Sequence, residues 1–389
     1  MSESQWSAVS SLTTKANYLP TGEEAILSAS GVTTYFGSSV AVNENGNYAI
    51  IGDPNDNTQK GAAYIFIRSG TSWTQQAKLT ASDGLSYEHF GASVAISNDS
   101  SYVIIGSPDA ESVGTAYIFK RINSTWVQEA ELKANNAQHG PNFGYSVSIS
   151  DDGSRVIVGN YEDIGQTGKA YIFSRTGTSW AQEAVLIAID GTNGDLFGYS
   201  VSISNDGMYS IIGAYRNNSG NGAAYIFIRS GTTWNQQAKL VANDAYFNSY
   251  FGNSVDISGD GSICVVTSYN KNNSTGQAYI FIRSGTNWSQ SQGLIAGDGS
   301  TNDYFGYSCS ISTNGSRIII GSRYGDKPSV ANCGSVYIFD KFGPIWAQQA
   351  EVNPSNGISN GSFGCSISIS GDGNLIVAGT LNSKAYIFS

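Results

Sequence analysis

The sequence predicts an all-β fold, a seven-bladed β-propeller of four-stranded antiparallel blades. Three observations carry that prediction. Phe-Gly pairs begin at Phe36, Phe90, Phe143, Phe197, Phe251, Phe305 and Phe363, in steps of 54, 53, 54, 54, 54 and 58 residues. A Tyr-Ile-Phe triplet follows every pair, starting at Tyr64, Tyr117, Tyr171, Tyr225, Tyr279, Tyr337 and Tyr386. Tryptophans at 73, 126, 180, 234, 288 and 346 each stand 17 residues before the next Phe-Gly. A fixed period along a whole chain marks units that stack on their own neighbours.

One unit, 197–250, justifies the blade strand by strand. "FGYSVSIS" alternates, with Phe197, Tyr199, Val201 and Ile203 on one side and Gly and Ser on the other. A period of two predicts a strand with one bulky and one small face. "NDG" is a hairpin signal in which Gly207 supplies a positive φ. "MYSIIGAY" is the second strand, "RNNSGNG" a loop, "AAYIFIR" the third strand and "WNQQAKLVA" the fourth. A lone four-stranded sheet leaves both faces wet. Set radially, the bulky face of one unit rests on the small face of the next.

The ends predict how the ring closes. The last repeat stops at Ser389, after its third strand. "EEAILSAS" at 23–30 matches "QQAKLTAS" at 75–82, a fourth-strand segment, and stands just before Phe36. The N-terminal segment is therefore expected to supply the missing outer strand of blade 7. Residues 1–18 form an extension outside the repeat, and 19–389 one propeller domain.

These markers resemble the FG-GAP repeat. Phe-Gly opens the unit, and Gly-x-Pro follows the second strand as "GDP" at 52–54 and "GSP" at 106–108. The resemblance covers about 19–389 and implies the seven-bladed propeller of integrin α-subunit heads and integrin-like fungal lectins. It implies a non-enzymatic, extracellular recognition or adhesion module whose ligand is a glycan or a protein. The third motif position departs in five blades, as Tyr161, Tyr215, Tyr269, Arg323 and Leu381. Integrin-type blades often carry a calcium loop between strands one and two. Here that connection is a short turn such as "NDGM" or "GDGS", with too few oxygens for a cation that takes six to eight. Its Asp and Asn residues are read as hairpin formers.

Composition narrows the partners. Asp, Glu, Lys and Arg make up only 13% of the chain, and the net charge is −10. That disfavours nucleic acid, whose phosphates need a basic groove. No apolar run approaches the length of a membrane span, and the N-terminus lacks the apolar core of a signal peptide. Cys264 and Cys309 read as core residues, while Cys333 and Cys365 leave a disulfide between neighbouring blades open.

Catalytic signals are sparse. His89 and His139 lie in loops entering blades 2 and 3. "GISNG" at 357–361 fits G-x-S-x-G, but that motif works on a strand–turn–helix and here sits in a loop. Before six of the seven Phe-Gly pairs stands an acidic or amide residue, at Asp83, Asn136, Asp190, Asp244, Asp298 and Asn356. Glu88, Asp195 and Asp303 lie two residues before the Phe. These side chains are read as loop formers accepting backbone N–H groups. A weak calcium site pairing Asp190 with Asp195, or Asp298 with Asp303, is the alternative.

The loops after strand two and those before Phe-Gly emerge on one face. Tyr161, Tyr215 and Tyr269 hold equivalent sites in blades 3, 4 and 5, Tyr250 and Tyr304 precede the Phe-Gly of blades 5 and 6, and Arg216, Arg323 and Tyr324 lie nearby. Tyrosine combines apolar area with a hydrogen-bonding tip. This lopsided cluster is the candidate ligand site, against the alternative that each ring is a wedge between blades. The six tryptophans are read as structural. A rigid disc that oligomerises is the alternative function.

Overall fold

A computed structural model describes residues 19–31, 35–135, 142–326 and 330–389. They form seven four-stranded antiparallel sheets. In blade 4 the strands Ser200–Ile203, Tyr209–Ala214, Ala223–Ser230 and Thr233–Leu240 pair in chain order. Blade 7 closes as the sequence predicts. Strand β1 (Glu23–Leu27) pairs antiparallel with the last strand, Ala385–Phe388, with Leu27 opposite Ala385 and Glu23 opposite Phe388.

The hydrophobic core is divided into seven clusters, each shared by two neighbouring blades. One joins Ile50, Ala63, Ile65 and Leu79 of blade 1 to Phe90, Val94, Ile105 and Phe119 of blade 2. The cluster across the closure holds Leu27, Val377 and Ile387 against Phe36, Val40 and Ile51. In every blade the Phe of Phe-Gly packs edge-on or tilted against the Tyr and Phe of its own third strand. In blade 2 the ring centroids are 5.4 Å from Tyr117 and 6.0 Å from Phe119.

The glycine after that Phe has a different task. Gly91 adopts φ +93°, and a Cβ there would overlap the Ala62 carbonyl oxygen of the preceding blade. Only glycine combines that φ with that approach. The consequence corrects the strand read from the octet. The inner strand of blade 4 begins at Ser200, while Phe197 makes an isolated parallel bridge to Gly168 of blade 3. Blade 6 is the exception, with a strand running from Phe305 to Ile311. Ser200 faces the next blade and donates its Oγ to the Gly252 carbonyl at 3.0 Å.

Outer strands are stapled by the tryptophans and by the glutamine two residues on. The indole N–H of Trp126 donates to Gln76 of the previous blade at 3.0 Å, and those of Trp180, Trp234 and Trp288 to Glu129, Glu183 and Gln237. Gln128 and Gln236 accept the backbone N–H groups of Ser82 and Ile189 from the preceding blade. Blade 6 lacks one staple. Ser291 stands where the other blades carry Gln or Glu, and among the described residues the buried Trp346 indole nitrogen has no partner. Ser291→Gln is expected to supply the acceptor and raise stability by about 1 kcal/mol. The denaturant midpoint measures this, and an unchanged midpoint contradicts it.

The hairpins between strands one and two are built as the sequence suggests. In blade 4 the Ser204 hydroxyl donates to Asp206 at 2.6 Å, and Asp206 accepts the Met208 N–H at 2.9 Å. The same Ser–Asp or Ser–Asn turn recurs at Ser97, Ser150, Ser258, Ser312 and Ser370. Cys264 and Cys309 are buried in the core, and no disulfide joins Cys333 to Cys365.

Candidate functional site

The structure gathers the predicted tyrosines into one continuous belt. Tyr161, Tyr215 and Tyr269 directly follow the second strands of blades 3, 4 and 5. Tyr250 and Tyr304 sit just before Phe-Gly, both at φ 58°, so their loops turn back toward the neighbouring ring. Ring centroids are 5.4 Å apart for Tyr215–Tyr250, 5.7 Å for Tyr250–Tyr269, 5.3 Å for Tyr269–Tyr304 and 5.2 Å for Tyr304–Tyr324. The tilted and edge-on packing is the arrangement that aromatic quadrupoles favour.

Three further rings belong to the belt and were missed in the sequence. Tyr145, Tyr199 and Tyr307 occupy the position after Phe-Gly in blades 3, 4 and 6. Period-two alternation placed Tyr199 beside Phe197 on one face. The positive φ of Gly198 breaks that alternation, so Phe197 enters the core between blades while Tyr199 lines the central channel. The Gly itself was the signal, since a residue fixed at positive φ interrupts a strand. Tyr145 lies 4.6 Å from Tyr161 and 5.0 Å from Tyr199, and Tyr199 lies 4.4 Å from Tyr215. Tyr307 lies 5.7 Å from Tyr269. The belt thus runs unbroken over blades 3 to 6.

All nine rings are half-buried, so each packs on its neighbours and still presents surface. Burial pushes the phenols of Tyr145, Tyr161, Tyr199, Tyr215, Tyr269 and Tyr307 up from their ordinary pKa. Their hydroxyls therefore stay protonated at neutral pH and able to donate. Tyr145 donates to the Tyr199 hydroxyl at 3.1 Å. The guanidinium carbon of exposed Arg216 is 5.7 Å from the Tyr215 centroid. That of Arg323 is 4.9 Å from Tyr307 and 5.1 Å from Tyr324.

Two cavities adjoin the belt. One, of about 380 Å³, is the axial channel, walled by Tyr145, Tyr199 and Tyr307 on one side and by Ser38, Ala92 and Cys365 on the other. The second, of about 520 Å³, lies between the loops of blades 4 and 5 and is lined by Thr192, Asn193, Arg216, Asn218, Asn248 and Tyr250, among others. Both volumes lie in the range of small-ligand pockets. Deeper in the channel the inner-strand carboxylate of Asp256 accepts from the Ser202 hydroxyl at 2.7 Å and the Ile311 N–H at 2.9 Å.

The acidic residues before Phe-Gly have a task the sequence did not disclose. Asp190, Asp244, Asp298 and Asn356 accept the hydroxyl of the Tyr that opens Tyr-Ile-Phe in the next blade, at 3.0, 2.9, 2.9 and 2.6 Å. They satisfy a deeply buried phenol, while Glu88, Asp195 and Asp303 accept backbone N–H groups as expected. Asp195 accepts from the Thr192 N–H and hydroxyl, both at 2.9 Å, and from Asn217 at 2.7 Å. Asp303 accepts the Ser300 N–H at 2.6 Å. Asp190 also pairs with Lys239 at 2.5 Å.

Among the described residues, one acidic group is close enough to share an ion: Asp83, Glu111 and Glu131. It includes none of the four predicted ligands, and Lys133 pairs with Glu111 at 2.7 Å and Glu131 at 2.8 Å. With the carboxylates of Asp190, Asp195, Asp298 and Asp303 already engaged, EDTA is expected to leave the melting temperature unchanged. A large drop would restore the calcium reading of these loops. His89 lies between Asp109 at 2.6 Å and Gln59 at 2.9 Å. His139 and Asn136 fall outside the described residues.

Comparison with known families matches this architecture. The FG-GAP repeat model matches residues 21–66, 73–119, 126–173, 180–227, 234–281 and 288–339. Each matched segment starts in an outer strand or at its edge and ends in the third strand of the following blade, so the first one takes in β1. A comparison with curated proteins gives no match. The repeated match over most of the chain, on a ring whose Phe-Gly pairs seat every blade, places this protein in the FG-GAP repeat family.

Proposed function

We propose that this propeller is a non-enzymatic recognition module and that it binds a glycan on the tyrosine belt over blades 3 to 6. The observation that carries the reading is the belt itself, nine half-buried rings in contact on one face of an otherwise repetitive disc. Flat rings stack on the apolar faces of sugars, and phenol hydroxyls meet their hydroxyl groups. The adjoining cavity adds amides and hydroxyls from Asn193, Asn218, Asn248 and Thr192, the donors and acceptors that a sugar ring needs. Such a module acts outside the cell, where glycans are displayed.

A glycan array probed with the purified chain tests this. Binding to a defined set of sugars, lost when belt tyrosines are replaced, supports the reading. A blank array, with proteins captured through the same face, refutes it.

A second reading, a subunit that assembles into a larger body, is favoured by apolar side chains exposed on blades 3 to 5. Ile187 is 54% exposed, Ile189 80%, Tyr246 68% and Phe247 61%. A stable interface buries roughly 1,000 Å² or more. A solution mass at a multiple of 41.1 kDa would favour it.

A further inference from the structure

The arginines of this chain divide into two groups. Seven of the nine have a carboxylate or a backbone carbonyl as acceptor. Arg68 pairs with Glu24, Arg155 and Arg229 with Glu183, and Arg317 with Asp340. Arg121, Arg175 and Arg283 donate to the carbonyls of Ser100, Gly153 and Gly261. The remaining two, Arg216 and Arg323, both lie on the tyrosine belt.

Arg323 is half-buried and among the described residues donates only to hydroxyls, from Nη1 to Tyr307 at 2.9 Å and from Nε to Ser362 at 3.3 Å. Arg216 rests on the Tyr215 ring. Among the described residues neither makes an ion pair. A chain with net charge −10 has carboxylates to spare, and it pairs buried Arg317 in full. Leaving a half-buried guanidinium without a counter-charge is costly, and its planar fork matches a carboxylate through two parallel bonds.

We infer that the ligand on the belt is an acidic glycan, with uronate carboxylates received by Arg323 and Arg216. The inference rests on the glycan reading above and names the class. Arg216 and Arg323 are joined by the ring series Tyr215–Tyr250–Tyr269–Tyr304–Tyr324, whose steps are 5.2 to 5.7 Å. A ligand touching both therefore spans several sugar units, stacking on rings between two charge contacts. A neutral glycan would leave both guanidiniums without a counter-charge, and an acidic peptide would leave the amide- and hydroxyl-lined cavity beside Arg216 unused.

Calorimetric titration with hexagalacturonate, hexaglucuronate, their methyl esters and hexaglutamate separates these outcomes. The expected result is binding of at least one uronate, weakened tenfold or more by esterification and by Arg323→Gln. The Arg216→Gln, Arg323→Gln double variant should lose more, with an unchanged far-UV spectrum. Equal binding of acid and ester, unaffected by either variant, overturns the acidic class and leaves the glycan reading standing. Binding of hexaglutamate alone overturns both in favour of an acidic peptide. No binding by any probe, with neutral sugars bound on the array, also overturns the acidic class.

Discussion

Removal of residues 1–35 destabilises the whole propeller, because it takes out the outer strand of blade 7 and with it the closure of the ring. Leu27 is 3% exposed in the cluster shared by blades 7 and 1, and burying a leucine is worth about 2 kcal/mol. Glu24 accepts from Arg68 Nε and from the Trp73 indole, both at 2.8 Å, and hydrogen bonds to a charged group contribute about 1.5–3 kcal/mol each. Glu23 accepts the Ser355 N–H at 2.8 Å and its hydroxyl at 2.7 Å, tying blade 6 to the same strand. Loss of the strand also bares the edge of Ala385–Phe388, a template for pairing with another chain. The expected cost is about 5 kcal/mol, a fall of roughly 10 °C or more in melting temperature, together with association at the open blade. A truncated chain that stays monomeric and melts within a few degrees of the full one would show that β1 does not hold the ring.

The closure was legible because β1 repeats an outer strand in both composition and hydrogen bonding. Glu23 stands where Gln75 stands in blade 1 and likewise accepts a backbone N–H from the preceding blade. Glu24 stands where Gln76 stands and likewise receives a tryptophan indole. The strands and hairpins were legible for the same reason, since their periodicity and turn residues are local and recur in every blade.

What sequence could not supply were the partners that lie across blades. The acceptor of each of the five stapled indoles is 49 to 51 residues upstream. Asp190, Asp244 and Asp298 cap a tyrosine 35 or 39 residues downstream, a relation that no local pattern marks. Tyr145, Tyr199 and Tyr307 were missed because alternation was carried through a glycine at positive φ. Of the site, the five loop tyrosines with Tyr324, Arg216 and Arg323 were legible, since they stand where otherwise similar units differ. That Arg216 and Arg323 lack a carboxylate partner among the described residues is a three-dimensional fact with no local mark in the sequence.

Ligand binding on the belt is tested most directly by the Tyr215→Ala, Tyr269→Ala, Tyr304→Ala triple variant, titrated with a glycan that the unaltered chain binds. These rings are links of the series rather than its ends, so their removal opens the stacking surface at three points. Each loss at a buried contact of this kind costs about 1–2 kcal/mol, so the triple variant should bind roughly a thousandfold more weakly. Because the blades are seated by Phe-Gly and by the staples between outer strands, its far-UV spectrum and most of its melting temperature should be retained. Unfolding of the variant would make the rings wedges between blades, and full affinity in a folded variant would place the ligand elsewhere on the disc.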